Sequence, residues 1–173
     1  MCSMASSAML RTLELRASTR TIMKQMSGRA TSERGADAAC MNAVIIYDDR
    51  KLAGEVNAML EWAAGYAGGS GSWSVRPWRL DLLAQPRVAE AALNEAAEAH
   101  IIVLALRSQA EPPAELLEWL ETWAGRRHVR DAAVALFDGG AGYTQPVPAT
   151  PRLSAFADRH GLSFLLGAAG PTE

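Results

Sequence analysis

IIVLAL, at residues 101–106, is the clearest strand signal in this sequence. A short run that is apolar at every position is typical of a strand buried on both faces of a parallel sheet. Residues 43–47 (AVIIY), 132–137 (AAVALF) and 162–166 (LSFLL) are predicted to be strands as well. Residues 73–80 form a fifth candidate that contains Pro77. Because proline cannot donate a ladder hydrogen bond, this strand is expected at an edge of the sheet.

Segments with helical periodicity separate these strands. Helices are predicted after the acidic pair at 48–49, over 86–99, from the proline pair at 112–113, and over 151–160, where Gly161 supplies a C-terminal cap. Alternating strands and helices indicate a parallel sheet with helices on both faces. We therefore predict an α/β fold of three layers, α/β/α, around a five-stranded parallel sheet in the order 2-1-3-4-5.

Residues 1–40 differ in charge from the rest of the chain. They carry six basic and three acidic residues, a net charge of +3, whereas residues 41–173 carry 11 basic and 16 acidic residues, a net charge of -5. The first segment also holds both cysteines, Cys2 and Cys40. The domain itself is predicted to span residues 41–167, with a C-terminal tail at 168–173. Such a domain has no cysteine for a thiol nucleophile, a disulfide or a metal site.

Three interpretations of residues 1–40 stay open. They are a flexible extension, an upstream start that precedes a true initiator at Met41, or an organelle transit peptide. The apolar runs in this segment are too short for a secretory signal. The transit-peptide interpretation depends on a weak apolar stripe formed by Leu10, Leu13, Ile22 and Met26.

Composition excludes several classes of protein. The chain has 173 residues, of which 49% are hydrophobic and 21% charged, so it is expected to be one globular domain with an appendage. No apolar stretch approaches the ~18 residues that span a bilayer, so no membrane association is expected. A net charge of -2 and a pI of about 5.9 argue against a nucleic-acid-binding surface. The cytoplasm is the default expectation for its location.

Asp48 and Asp49, directly after the first strand, resemble the acidic pair that holds Mg²⁺ in response-regulator receiver domains, which share the predicted strand order. The resemblance covers the whole predicted domain as topology, but only these two residues as a motif. Ala105 stands where the phosphoryl-accepting aspartate is expected, and Phe137 and Asp138 replace a small hydroxyl residue. The lysine expected after the fifth strand is absent. The resemblance therefore implies a degenerate receiver-like domain without the usual phosphotransfer.

Polar residues at the carboxyl edge of the sheet are the candidates for a site, because open α/β sheets bind ligands there. Asp48, Asp49 and Asp138 can converge on a hard cation such as Mg²⁺, which is the one cofactor that the sequence suggests. Arg107 and Ser108 can then face an anion held by that metal. The alternative is that the aspartates cap a helix and begin a turn, while Arg107 forms an exposed ion pair.

Other catalytic arrangements find little support. His100, His128 and His160 are all predicted at the amino-terminal edge, opposite the expected site, and no Gly-x-Ser-x-Gly elbow is present. The glycines between 65 and 71 follow a helix and precede a strand. A phosphate-binding loop needs the reverse order, so a nucleotide site of that kind is not expected.

Trp119 and Trp123 lie on one face of a predicted helix, where they either extend the core or bind a protein partner or a second copy of the chain. Two functions remain. The first is a non-catalytic receiver-like domain that acts by protein–protein contact in bacterial signalling or regulation. The second is a small Mg²⁺-dependent enzyme or ligand sensor. Carboxylates that each accept a backbone N–H favour the first function, and carboxylates that converge beside a cavity favour the second.

Overall fold

The computed structural model describes residues 40–66, 72–107, 111–138 and 149–168. Five strands form one parallel sheet: β1 (Cys40–Tyr47), β2 (Ser72–Arg79), β3 (Ile101–Leu106), β4 (Ala133–Asp138) and β5 (Ser163–Ala168). Their order is β2-β1-β3-β4-β5, and every neighbouring pair is parallel. The predicted strand order is confirmed. It is the doubly wound arrangement of flavodoxin-like folds.

Four α-helices and one 3-10 helix connect the strands: α1 (Arg50–Tyr66), the 3-10 helix η1 (Leu80–Ala84), α2 (Pro86–Ala96), α3 (Ala114–Arg126) and α4 (Ala149–His160). One hydrophobic cluster joins α2, α3 and α4 to one face of the sheet, and a second cluster joins α1 to the other face. The predicted α/β/α layering is therefore confirmed. No helix within the described ranges is long and apolar enough to cross a membrane.

The position of each strand follows from its sequence. All six residues of β3 are buried, as the uniformly apolar IIVLAL run predicts for a strand in the middle of a parallel sheet. β2, which contains Pro77, pairs with β1 alone and forms an edge. Gly161 has a φ of 64°, the left-handed conformation expected of a glycine that ends a helix.

Several boundaries differ from the prediction. β1 begins at Cys40, so this exposed cysteine belongs to the sheet and not to the preceding segment. Gly65, predicted in a loop, lies in α1, because the helix continues to Tyr66. The segment after β2, for which no helix is predicted, forms η1. Leu80 and Leu83, three residues apart, pack against the core there and stabilise a turn of 3-10 helix.

Candidate functional site

The centre of the carboxyl edge is the gap between β1 and β3, where the strand order reverses. Asp48 follows β1 and Arg107 follows β3. The backbone N–H of Arg107 donates to both carboxylate oxygens of Asp48, at 2.9 and 3.0 Å. The backbone N–H of Asp48 donates to the carbonyl oxygen of Ala105 at 3.3 Å. Asp48 therefore joins the two strand ends at the point where a doubly wound fold binds ligands.

Asp49 is engaged by the start of α1 and by Arg107. One carboxylate oxygen accepts the backbone N–H of Lys51 at 2.6 Å, and the other forms an ion pair with the Arg107 guanidinium. The carboxylate of Asp49 is only 16% exposed, whereas the Arg107 side chain is 69% exposed. A single arginine thus contacts both members of the acidic pair, one through its main chain and one through its side chain.

The remaining residues of the predicted metal and ligand site lie wholly or partly outside the described part of the chain. Asp138 is the last residue of β4 and pairs with Leu106, but only its backbone is described. Ser108 falls in the undescribed residues 108–110. β4 lies two strands from β1, about 10 Å away at the usual strand spacing. No group of three or more His, Cys, Asp or Glu residues within the described ranges is placed to hold a metal ion. The Mg²⁺ site stays a prediction.

A cleft of about 460 Å³ opens beside Asp48, between η1 and the first turn of α3. Its residues come from three segments of the chain that meet at the carboxyl edge. They are Asp48, Arg79, Leu80, Asp81, Leu83, Ala84, Pro113, Glu115 and Leu116. Leu83 and Leu116 are buried and belong to the core, so the floor of the cleft is apolar.

Charge around this cleft is mainly negative. Arg79 is the one basic residue among the lining residues and forms an ion pair of 2.6 Å with Asp81. Asp48 is already hydrogen-bonded to main chain, and Glu115 is exposed in the first turn of α3. The cleft therefore combines an apolar floor with an acidic rim. Sequence reasoning missed it because no helix was predicted between β2 and α2. The spacing of Leu80 and Leu83 was the available signal.

Trp119 and Trp123 lie inside the fold, with relative exposures of 4% and 0%. Their indole N–H groups donate to main-chain carbonyl oxygens of α2, from Trp119 to Ala89 at 3.1 Å and from Trp123 to Ala96 at 2.8 Å. Both rings therefore fix α3 against α2. Any surface that a partner touches on the single folded chain must come from other side chains.

The three histidines lie at the amino-terminal edge, as the sequence predicts. The ring Nδ1 of His100 accepts the backbone N–H of Asn42 at 3.1 Å, and burial lowers the pKa of this imidazole. His128 contacts Glu98 at 2.5 Å, and His160 contacts Glu121 at 2.7 Å. Each imidazole thus has a partner at the edge opposite the cleft.

Comparison of the chain with protein-family models found no match, and comparisons with curated proteins and with solved structures found no significant match either. The class of protein is therefore defined by its fold and its site geometry. The chain is a flavodoxin-like α/β domain in which an arginine binds an acidic pair beside an acidic cleft.

Proposed function

We propose that this chain is a receiver-like domain that acts through contact with a protein partner in bacterial signalling or regulation and does not transfer phosphate. The observation that carries the proposal is the engagement of Asp48 and Asp49 by Arg107. Each carboxylate also accepts a backbone N–H, which is the arrangement expected of structural rather than catalytic aspartates.

Two features of the carboxyl edge argue against phosphotransfer. Mg²⁺ needs several oxygen ligands and retains part of its water shell, and here a guanidinium occupies the side of Asp49 where a cation would bind. The position of a phosphoryl acceptor is taken by Ala105, which is 0% exposed and offers no nucleophile. The Arg107 guanidinium balances part of the negative charge of the acidic pair.

The cleft between η1 and α3 is the proposed contact surface. Its apolar floor suits an apolar side chain, and its rim, which holds Asp48, Asp81 and Glu115, suits nearby lysine or arginine residues. We therefore propose a partner segment in which an apolar residue is flanked by basic residues.

The test of the non-catalytic role is a Mg²⁺ titration of the full chain by NMR, following the amides of Asp48, Asp49 and Arg107. We expect no saturable shifts in the millimolar range, and no added phosphoryl mass after incubation with acetyl phosphate and Mg²⁺. Arg107→Ala removes the cation from Asp49 but keeps the backbone N–H for Asp48, so weak shifts should appear in this variant. Arg79→Ala is the matched control and should show none. Saturable shifts at both aspartates of the unaltered chain would overturn the proposal.

The test of the contact surface is photo-crosslinking in the source cell. A photoreactive residue at Ala84, exposed beside the cleft, should give a defined protein adduct, and the same residue at Asn94, exposed on α2, should not. Asp81→Lys combined with Glu115→Lys should remove the adduct, because it reverses the charge of the rim. Equal adducts from both positions, or an adduct that survives the charge reversal, would contradict the assignment.

Ligand sensing is the second candidate, and the volume of the cleft favours it. About 460 Å³ lies within the ~300–1,000 Å³ typical of small-molecule pockets. If the chain is a ligand sensor, the NMR signals of the Leu80, Ala84 and Leu116 amides should shift saturably when the small cationic metabolites of the source cell are added. Shifts that appear only when a protein fraction of the cell is added would favour the interaction with a protein partner.

A further inference from the structure

The two edge strands of the sheet differ in how they are protected against pairing with another strand. An edge strand presents unpaired main-chain N–H and C=O groups, and proteins block such pairing with proline and with charged side chains. β2 has both, in Pro77, which lacks an N–H, and in the exposed Arg76 and Arg79. β5 pairs with β4 alone within the described ranges, and its sequence, SFLLGA, contains neither proline nor charge. β5 therefore lacks the protection that β2 has.

A hydrogen bond at the start of β5 shows which of its main-chain groups face outward. The N–H of Ser163 donates to the carbonyl oxygen of Ala132, just before β4, at 3.3 Å. In a parallel sheet the N–H and C=O of one residue point to the same neighbouring strand, and the direction alternates along the chain. The odd-numbered residues of β5 therefore bond to β4, and the even-numbered ones direct their main-chain groups outward. These are Phe164, Leu166 and Ala168.

The side chain of Leu166 adds an apolar contact to this edge. Its relative exposure is 45%, and it is one of two large hydrophobic side chains that are exposed among the described residues. Side chains alternate between the faces of a strand, and Phe164 packs on the side of α2, α3 and α4, so Leu166 lies on that side too. A single exposed leucine is common on a protein surface. This one, however, stands in the strand whose edge is uncharged.

The helix beside this edge is α4, which lies over β4 and β5. Its Arg152 and Arg159 pair with acidic residues in and just before α3, so one flank of α4 faces α3. The opposite flank borders the outer edge of β5. By helical spacing it carries Thr150, Ser154 and Asp158, of which Asp158 is exposed and the other two are half-buried. This flank is therefore mostly small and polar, with its charge at one end.

The charges of the two edges indicate that a second copy of this chain suits β5. Pairing about a two-fold axis brings a strand against itself, so any charge near the axis meets its own kind and repels it. β5 has no charge to repel. The two α4 helices would also run antiparallel, which places the Asp158 carboxylates of the two copies far apart, each near the other copy's Thr150. At β2 the same operation would bring Arg76 and Arg79 of two copies together.

We infer that two copies of this chain pair antiparallel through β5, with the two-fold axis at Leu166, so that their five-stranded sheets join into one. In this register Leu166 lies opposite Leu166 of the other copy and Phe164 lies opposite Ala168. Each of these pairs exchanges two main-chain hydrogen bonds, and the two leucine side chains pack together. One short strand from each copy makes a small interface, so the dimer dissociates on dilution. The cleft between η1 and α3 lies outside the interface.

Sedimentation velocity of the full chain tests the dimer. Between about 10 µM and about 1 mM we expect the sedimentation coefficient to rise from that of a monomer to that of a dimer. Leu166→Lys places two like charges at the axis and should raise the dissociation constant at least about tenfold. Ser72→Lys adds the same charge at an exposed position of β2 and should change the dissociation constant by less than about twofold. A monomer at every concentration, or equal effects of the two variants, would overturn the inference.

Disulfide crosslinking tests the register without depending on a charged variant. In a chain that carries Cys2→Ser and Cys40→Ser, Leu166→Cys places two Cα atoms about 5.5 Å apart across the axis, within the span of a disulfide. Ser163→Cys, exposed on the same strand, lies about 20 Å from its counterpart. Oxidised glutathione should therefore link the first variant into a covalent dimer on a non-reducing gel and leave the second a monomer. Equal linkage of both variants, or linkage of neither, would contradict the pairing at Leu166.

Discussion

The two edges of the sheet use their carboxylates differently. At the carboxyl edge, Asp48 and Asp49 accept main-chain N–H groups, from Arg107 at 2.9 and 3.0 Å and from Lys51 at 2.6 Å. At the amino-terminal edge, Glu98 contacts the exposed His128 imidazole. The first arrangement fixes the path of the backbone, and the second joins one exposed side chain to another.

This difference predicts which residues matter for stability. A charge-assisted hydrogen bond to main chain contributes more than an exposed ion pair, because only one of its partners loses side-chain entropy and the donor would otherwise need water. His100 is the exception at the amino-terminal edge, since its ring accepts a main-chain N–H from Asn42. Effects should therefore decrease from Asp48, through His100, to the glutamates.

The largest effect is expected for Asp48→Ala. This change removes the acceptor for the Arg107 N–H between β1 and β3 and should lower the free energy of unfolding by about 1–2 kcal/mol, measured by urea denaturation. Asp48→Asn keeps one acceptor oxygen and should lose about half as much. Asp81→Ala, which breaks an exposed pair with Arg79, is the control and should change stability by less than about 0.5 kcal/mol. Equal losses for Asp48→Ala and Asp81→Ala would mean that a hydrogen bond to main chain contributes no more here than an exposed ion pair, and the contrast would lose its physical basis.

An intermediate, pH-dependent effect is expected from His100. Burial lowers the pKa of this imidazole, with Glu98 opposing the shift, and the neutral ring is the form that accepts the Asn42 N–H. A protonated ring has no acceptor, so the unfolded state takes up the proton first. His100 should therefore contribute its full stability above the unfolded pKa of 6.5 and lose it as pH falls through and below that value.

His100→Asn provides the control for that pH dependence. The asparagine side-chain oxygen can accept the same N–H but does not titrate. The midpoint of thermal unfolding should fall less between pH 7.5 and pH 5.5 in this variant than in the unaltered chain. An identical fall in both would assign the pH dependence to other groups.

Much of the fold was predictable because it depends on local pattern. The uniform IIVLAL run placed β3 in the sheet interior, and Pro77 placed β2 at an edge, since each property follows from one short segment. The 3-10 helix η1 was missed because its two leucines pack on a core that only the assembled fold provides. Without η1 the cleft beside Asp48 could not be foreseen.

The candidate site was predictable only as a set of residues at one edge. The sequence placed Asp48, Asp49 and Arg107 there, but not the contact that joins them, because Asp48 and Arg107 are 59 residues apart in the chain. A local pattern carries no information on such a pairing. The alternatives for Trp119 and Trp123 also stayed open for this reason, since core and interface tryptophans share the same helical spacing.

The smallest effect is expected for Glu121→Gln. Glu121 pairs with Arg159 and with His160 at the amino-terminal edge, but its side chain is 43% exposed, so water and salt screen both attractions. We expect a change of less than about 0.5 kcal/mol in urea denaturation, and a still smaller one in high salt. Glu118→Gln, an exposed glutamate of the same helix, is the matched control. A loss above about 1 kcal/mol for Glu121→Gln alone would mean that this network fixes α4 against α3 as firmly as Asp48 fixes β1 against β3, and the contrast between the two edges would then fail.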